Sequence, residues 1–143
     1  MMAQRYVVVI AEDDEIQREL LKSILELDRL TVLEARNGHE ALDAVARHRP
    51  DLLITDNFMP SMDGYALIRE VRRSKEFGST LPIVLLSAAD RDAERLAEDR
   101  TGLSRYVQKP IDTDDFLSVI RSLLAGERRG VDPKADRTPD RTI

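Results

Sequence analysis

The sequence predicts an α/β domain: a doubly wound, five-stranded parallel sheet with helices on both faces. Three observations carry this. Strand-length apolar runs and helix-length amphipathic segments alternate five times along 143 residues, the pattern of parallel strands joined by right-handed crossovers. The runs Tyr6-Val7-Val8-Val9-Ile10, Leu52-Leu53-Ile54 and Leu81-Pro82-Ile83-Val84-Leu85-Leu86 are continuous, as in strands buried on both faces. These runs lead into polar residues: Glu12-Asp13-Asp14, Asp56 and Ser87. Ligands of open parallel sheets bind beyond such carboxyl ends.

The first strand is read over residues 5–11. Ile16, Leu20, Leu21, Ile24, Leu25 and Leu27 then recur at helical spacing, with Asp13 or Asp14 as the N-cap. Thr31-Val32-Leu33 is a short strand, and Asn37-Gly38 signals a turn. Ala41, Leu42 and Val45 mark a helix that stops before Pro50. After Asp56, breakers Pro60 and Gly64 precede a helix outlined by Tyr65, Leu67, Ile68 and Val71. Residues 91–100 predict a charged helix with only Ala93, Leu96 and Ala97 to bury. Tyr106-Val107-Gln108 is the fifth strand, ended by Lys109-Pro110. Asp112 caps a last helix carrying Phe116, Leu117, Ile120, Leu123 and Leu124, with Asp115 at the capping-box position and Gly126 as the stop. The domain is expected over 1–125. Residues 126–143 are charged, hold two prolines and offer almost nothing apolar, so a disordered tail is expected there.

Composition narrows the function. There is no cysteine, which removes disulfides, thiol catalysis and thiolate metal sites. His39 and His48 lack ligand spacing. A net charge of −5 argues against direct nucleic-acid binding. No run is long enough to span a bilayer, and no signal peptide is legible. The chain reads as cytoplasmic.

The strand ends bring acids, a hydroxyl and Lys109 to one sheet edge. Clustered carboxylates repel, and a hard cation or an ammonium compensates. An oxygen-only pocket suits Mg²⁺, which keeps waters and accepts a phosphate. Lys109 supplies a point charge for a phosphate oxygen, and Ser87 a hydrogen bond. Asp56 is then either a metal ligand or a nucleophile that forms an acyl phosphate. Singly, each feature has a plainer reading: a helix-opening acid, an N-cap serine, a surface lysine.

The motifs Val9-Ile10-Ala11-Glu12-Asp13-Asp14, Asp56-Asn57-Phe58-Met59-Pro60-Ser61-Met62-Asp63-Gly64, Leu85-Leu86-Ser87-Ala88 and Tyr106-Val107-Gln108-Lys109-Pro110 resemble the receiver domain of two-component response regulators. The resemblance covers residues 6–124 and implies the flavodoxin-like fold of a chemotaxis regulator. It implies that Asp56 accepts a phosphoryl group from a histidine kinase or phosphotransfer protein. It implies Mg²⁺ held by Asp13, Asp56 and the backbone carbonyl of Phe58, with Glu12 acting through water. Lys109, before a cis Pro110, and Ser87 would contact the phosphoryl group, and Ser87 and Tyr106 would form the switch. Output would pass to a downstream protein target, and the domain would catalyse only its own phosphorylation and dephosphorylation. Self-association through residues 91–124 stays open. Three departures stand out: Ser87 where threonine is commoner, Glu-Asp for Asp-Asp, and Leu103-Ser104-Arg105 before the tyrosine.

The stand-alone form is favoured by Met1-Met2 and the polar tail. The alternative is a receiver excised from a hybrid kinase. A Mg²⁺ phosphatase with an aspartate nucleophile is a rival enzyme reading. Such enzymes usually hold an acid two residues after the nucleophile, where this chain has Phe58. A docking-only pseudo-receiver fits poorly with the full set Asp13, Asp56, Ser87 and Lys109.

Overall fold

The computed structural model describes residues 5–89, 91–97 and 99–126. Its strands are β1 (Val7–Ala11), β2 (Thr31–Ala35), β3 (Leu52–Asp56), β4 (Ile83–Ser87) and β5 (Ser104–Gln108). Between and after them run α1 (Glu15–Leu27), α2 (Gly38–His48), α3 (Gly64–Arg73), α4 (Arg91–Leu96) and α5 (Thr113–Leu124). All pairings are parallel, in the order β2-β1-β3-β4-β5. The chain leaves β1 toward β2 and returns to the other side of β1 as β3. The winding therefore reverses between β1 and β3, and a crevice opens beyond their carboxyl ends.

Two-residue alternation sorts the core. Val8, Ile10, Leu52, Ile54, Val84 and Leu86 pack with Leu21 and Leu25 of α1 and Phe116 and Ile120 of α5. Val9, Ala11, Leu53, Ile83 and Leu85 pack with Ala41, Val45, Leu67, Ile68 and Leu96 on the opposite face. Each fully buried aliphatic side chain contributes roughly 1.5–3 kcal/mol before entropy is counted. β3 and β4 are buried along their whole length, so their sequences read as unbroken apolar runs.

Caps set the helix starts. Asp14, Asn37, Asp63 and Asp112 each accept a backbone N–H three residues on. Asn37-Gly38, expected as a turn, thus opens α2. The predicted α1 face needs correction. Ile16, Leu20 and Leu27 are 80%, 61% and 86% exposed, while Arg18, Leu21 and Leu25 are buried. At about 100° per residue, Ile16 and Leu21 lie about 140° apart around the helix. The helix carries two apolar stripes, and only one can face the sheet.

α4 is also shorter than expected. It ends at Leu96, followed by three-residue turns from Ala97 to Glu94 and from Asp99 to Leu96. Asp99 accepts the Thr101 N–H and pairs with Arg72 at 2.9 Å. That capture draws the chain away from the helix axis. Gly126 ends α5 at φ +91°, its N–H bonded to the Leu123 carbonyl. The predicted tail beyond Gly126 lies outside the described residues.

Gly64 lets α3 start against the sheet edge. A Cβ there would stand 2.7 Å from Leu85 Cδ1 and 2.9 Å from both the Asp56 carbonyl oxygen and Asn57 Cα. Backbone neighbours cannot rotate aside, so Gly64→Ala is expected to cost about 1–3 kcal/mol. A urea midpoint equal to wild type would show that the loop after β3 yields freely.

Candidate functional site

The crevice at the switch point is a cavity of about 470 Å³. Glu12, Asp13, Asp56, Phe58, Ser87 and Lys109 all line it, so the predicted residues do converge. Tyr106 stands behind them. Its hydroxyl lies 3.2 Å from the Ser87 carbonyl and 3.1 Å from the Ala89 carbonyl, sharing one hydrogen between them.

Asp56 ends β3 and is 5% exposed. One oxygen accepts from Lys109 Nζ at 2.5 Å, and the other accepts the Phe58 N–H at 3.1 Å. Thr55 Oγ1 donates to the Asp56 carbonyl at 2.9 Å, which fixes the local backbone. Lys109 follows β5, with a cis bond to Pro110. Its N–H bonds the Ser87 carbonyl at 2.9 Å, tying the lysine to the end of β4. The ammonium also donates to Gln17 Oε1 at 3.0 Å and stands 3.8 Å from Glu12 Oε1.

Glu12 is buried. Its Oε2 accepts the Asp14 N–H at 3.0 Å, while Oε1 accepts no hydrogen bond. Burial pushes its carboxyl up to about 7, and the charge of Asp56 adds to this; the Asp14 N–H and Lys109 pull the other way. Arg18 holds the segment in place, donating to the Glu12 carbonyl at 2.9 Å and pairing with Glu34 at 3.2 Å.

Oxygens of Glu12, Asp13 and Asp56 lie within 4.8 Å of one another. A buried carboxylate oxygen without a donor, beside two further carboxylates, is a donor set for a hard cation. Ser87 Oγ accepts the Ala89 N–H at 3.1 Å. Phe58 sits at the cavity rim with its side chain 88% exposed, so the ring does not close over Asp56. Gln17 and Arg95 also line the cavity, and sequence reasoning missed both. Gln17 was legible in principle, since it follows the Asp14 cap by three residues. Arg95 was not, because its place depends on how α4 packs.

The comparisons with known proteins agree with this geometry. The family model described as the response regulator receiver domain matches residues 8–121. The chain belongs to this family. It is a receiver domain of two-component signalling, built on the flavodoxin-like five-stranded sheet. The response regulator MprA of Mycobacterium ulcerans is 36% identical over 90% of this chain and 54% of its own length. MprA of Mycobacterium leprae is 38% identical over 82% of this chain and 50% of its own. The receiver thus spans about half the length of these curated relatives. Among solved structures, the receiver domain of a signal transduction histidine kinase from Syntrophus aciditrophicus is 33% identical, with TM-score 0.74 over 85% of this chain and 91% of that one. The chemotaxis regulator CheY4 of Vibrio cholerae shares the fold at TM-score 0.75 and 22% identity, covering 84% of this chain and 99% of its own. No helix among the described residues is long and apolar enough to cross a membrane.

Proposed function

We propose that this receiver takes a phosphoryl group on Asp56 from a histidine kinase or phosphotransfer protein, with Mg²⁺, and signals in the cytoplasm through contact with a downstream protein. The carrying observation is a buried Asp56 at the end of a central strand, 2.5 Å from Lys109 and clustered with Glu12 and Asp13. An Asp56 oxygen bonds to phosphorus as the donor's N–P bond breaks. The departing imidazole keeps the bonding electrons and leaves with a proton. Such transfer needs positioning and charge neutralisation more than covalent help.

Asp13, Asp56 and the Phe58 carbonyl would hold Mg²⁺, with Glu12 acting through water; the cation would neutralise charge on the phosphoryl oxygens. Lys109 would do the same from the other side. Ser87 would turn its hydroxyl to a phosphoryl oxygen and give up the Ala89 N–H. The Tyr106 hydroxyl, which bridges Ser87 and Ala89, would register that movement. Exposed Ile16, in the first turn of α1, and Phe58, at the rim, offer apolar surface to the donor protein. The domain proper spans 1–125, with 126–143 as a polar tail, and catalyses only its own phosphorylation and dephosphorylation.

The test is intact mass after incubation with acetyl phosphate and Mg²⁺. One phosphoryl group is expected on wild type, and none on Asp56→Asn or in EDTA. Full incorporation in either control would sink the assignment.

Lifetime follows from the rim. Hydrolysis needs a water in line with phosphorus, and neither the Phe58 nor the Ala89 side chain can hydrogen-bond one. The exposed ring gives no shield, so slow decay rests on the missing polar aligner. The phosphorylated form is expected to last minutes to hours. Phe58→Asn should decay about tenfold faster, roughly 1.4 kcal/mol of barrier. An unchanged rate in the variant would remove Phe58 from the account.

A further inference from the structure

A second cavity, of about 680 Å³, lies between α3 and α4. Among the described residues, Ile68 and Leu96 give it apolar lining, and Arg69, Arg72, Arg73, Arg95 and Arg100 stand around it with one acid, Asp99. Five arginines on one cleft contrast with a chain whose net charge is −5.

Not all five are available. Arg72 is committed to Asp99, Ser104 and the carbonyls of Gly78 and Leu81. It holds the cleft floor to β5. Arg73 pairs with Glu70 at 3.2 Å on an exposed face, which constrains it weakly. Among the described residues, neither Arg69 nor Arg100 makes an ion pair. Arg95 lies over the Tyr65 ring, 3.8 Å from its centroid.

We propose that this cleft docks an acidic segment of a partner protein, anchored by aliphatic side chains, and that Arg95 links its occupancy to phosphorylation of Asp56. Charge complementarity and the Ile68–Leu96 lining select such a segment. A nucleotide base finds no ring to stack on, because Tyr65 is buried and covered by Arg95. The chain's own residues 127–143 are excluded by charge: four acids, Glu127, Asp132, Asp136 and Asp140, against five bases, Arg128, Arg129, Lys134, Arg137 and Arg141. Arg95 lines both this cleft and the Asp56 cavity. New negative charge at Asp56 attracts its guanidinium and alters the cleft wall. Only this linkage rests on the phosphorylation reading; docking does not.

The probe is a fluorescein-labelled peptide of alternating leucine and glutamate, followed by anisotropy at low salt. Binding is expected, with at least a tenfold loss in the Arg69→Glu/Arg100→Glu double variant and no loss in Arg36→Glu/Arg47→Glu, the first just before α2 and the second on it. Equal binding by the double variant, or by a glutamine analogue of the peptide, would overturn the docking site. So would preferential binding of inorganic polyphosphate, or a monomer–dimer equilibrium that the double variant abolishes. For the linkage, phosphorylated and unphosphorylated protein should differ at least threefold in peptide affinity, and Arg95→Gln should remove the difference. Equal affinities in wild type verified by mass as phosphorylated would overturn it. Failure to phosphorylate at all is seen in that mass measurement and counts against the Asp56 assignment instead.

Discussion

Lys109→Ala is expected to slow phosphoryl transfer to Asp56 by on the order of 10²-fold while leaving the domain folded. Removal of one preorganised charge-stabilising donor costs about 3 kcal/mol of barrier in comparable sites. Lys109 fits that role because its ammonium is fixed before the donor arrives. The backbone bond to Ser87 sets its base, and Asp56 and Gln17 hold its tip. Two effects of the substitution oppose each other. Loss of the 2.5 Å contact makes the Asp56 carboxylate less encumbered as a nucleophile. It also leaves the acids around Asp56 without their nearest cation, and removes the positive charge that the phosphoryl oxygens meet. The second effect wins, because charge on the transferring group is spread over three oxygens and has to be met in place. The side chain is 24% exposed, so little core packing is lost. Lys109→Arg should recover only part of the rate, since a planar fork cannot reproduce a compact ammonium there. The measurement is the initial rate of mass gain with acetyl phosphate at saturating Mg²⁺. A wild-type rate in Lys109→Ala would place the charge stabilisation elsewhere.

The central strands were legible for a simple reason. Leu52 to Ile54 and Ile83 to Leu86 are buried on both faces, so the sequence there has no freedom to be polar. The same property exposes Asp56 as an anomaly: a carboxylate in a fully buried strand. Edge strands were harder. β2 continues through Glu34 to Ala35 because Ile10 and Ala11 pair with them, and pairing is a property of two strands that one strand's pattern does not contain. β5 begins at Ser104 for the same reason, opposite Ile83.

Helix faces were legible only where one apolar stripe exists. α5 has one. α1 has two, and Arg18 decides between them. Its buried guanidinium bonds the Glu12 carbonyl and Glu34, so a charged residue marks the inward face. No hydropathy pattern gives that answer. The site was legible as chemistry, since acid, acid, hydroxyl and lysine each stand at a strand end. Its electrostatic state was not. Whether Glu12 carries a charge depends on burial and on an N–H two residues away, and neither is written in the motif.

The metal-free protein is expected to lose stability as pH rises from about 4.5 to about 7, and Glu12→Gln should abolish most of that loss. Glu12 titrates near 4.5 when unfolded and at about 7 when folded, chiefly because burial disfavours its charge. Below the unfolded value both states are protonated, and the stabilising difference is fully present. Between the two values the unfolded chain releases its proton while the folded site keeps it. Stability then falls by up to about 1.4 kcal/mol for each pH unit, roughly 3 kcal/mol in all. Above the folded value both states are ionised, and the curve flattens. Asp99 and Glu34 have the opposite sign. Burial pushes each up, but hydrogen bonds win: from Ser104 and Thr101, aided by Arg72, for Asp99, and from Lys22 and Arg18 for Glu34. Their stabilising contribution is lost as pH falls below the ordinary carboxylate range, so it does not mask the Glu12 window. A bound cation favours the charged carboxylate, and Mg²⁺ should therefore stabilise the domain more at pH 8 than at pH 6. Urea unfolding in EDTA and in Mg²⁺ across this range, for wild type and Glu12→Gln, reads both effects. Glu12→Gln should be the more stable protein at pH 8 in EDTA and should gain less than wild type from Mg²⁺. Parallel pH curves for the two proteins in EDTA would show that the Glu12 oxygen without a hydrogen bond is solvated after all, and that the acid cluster sits folded with all its charges in place.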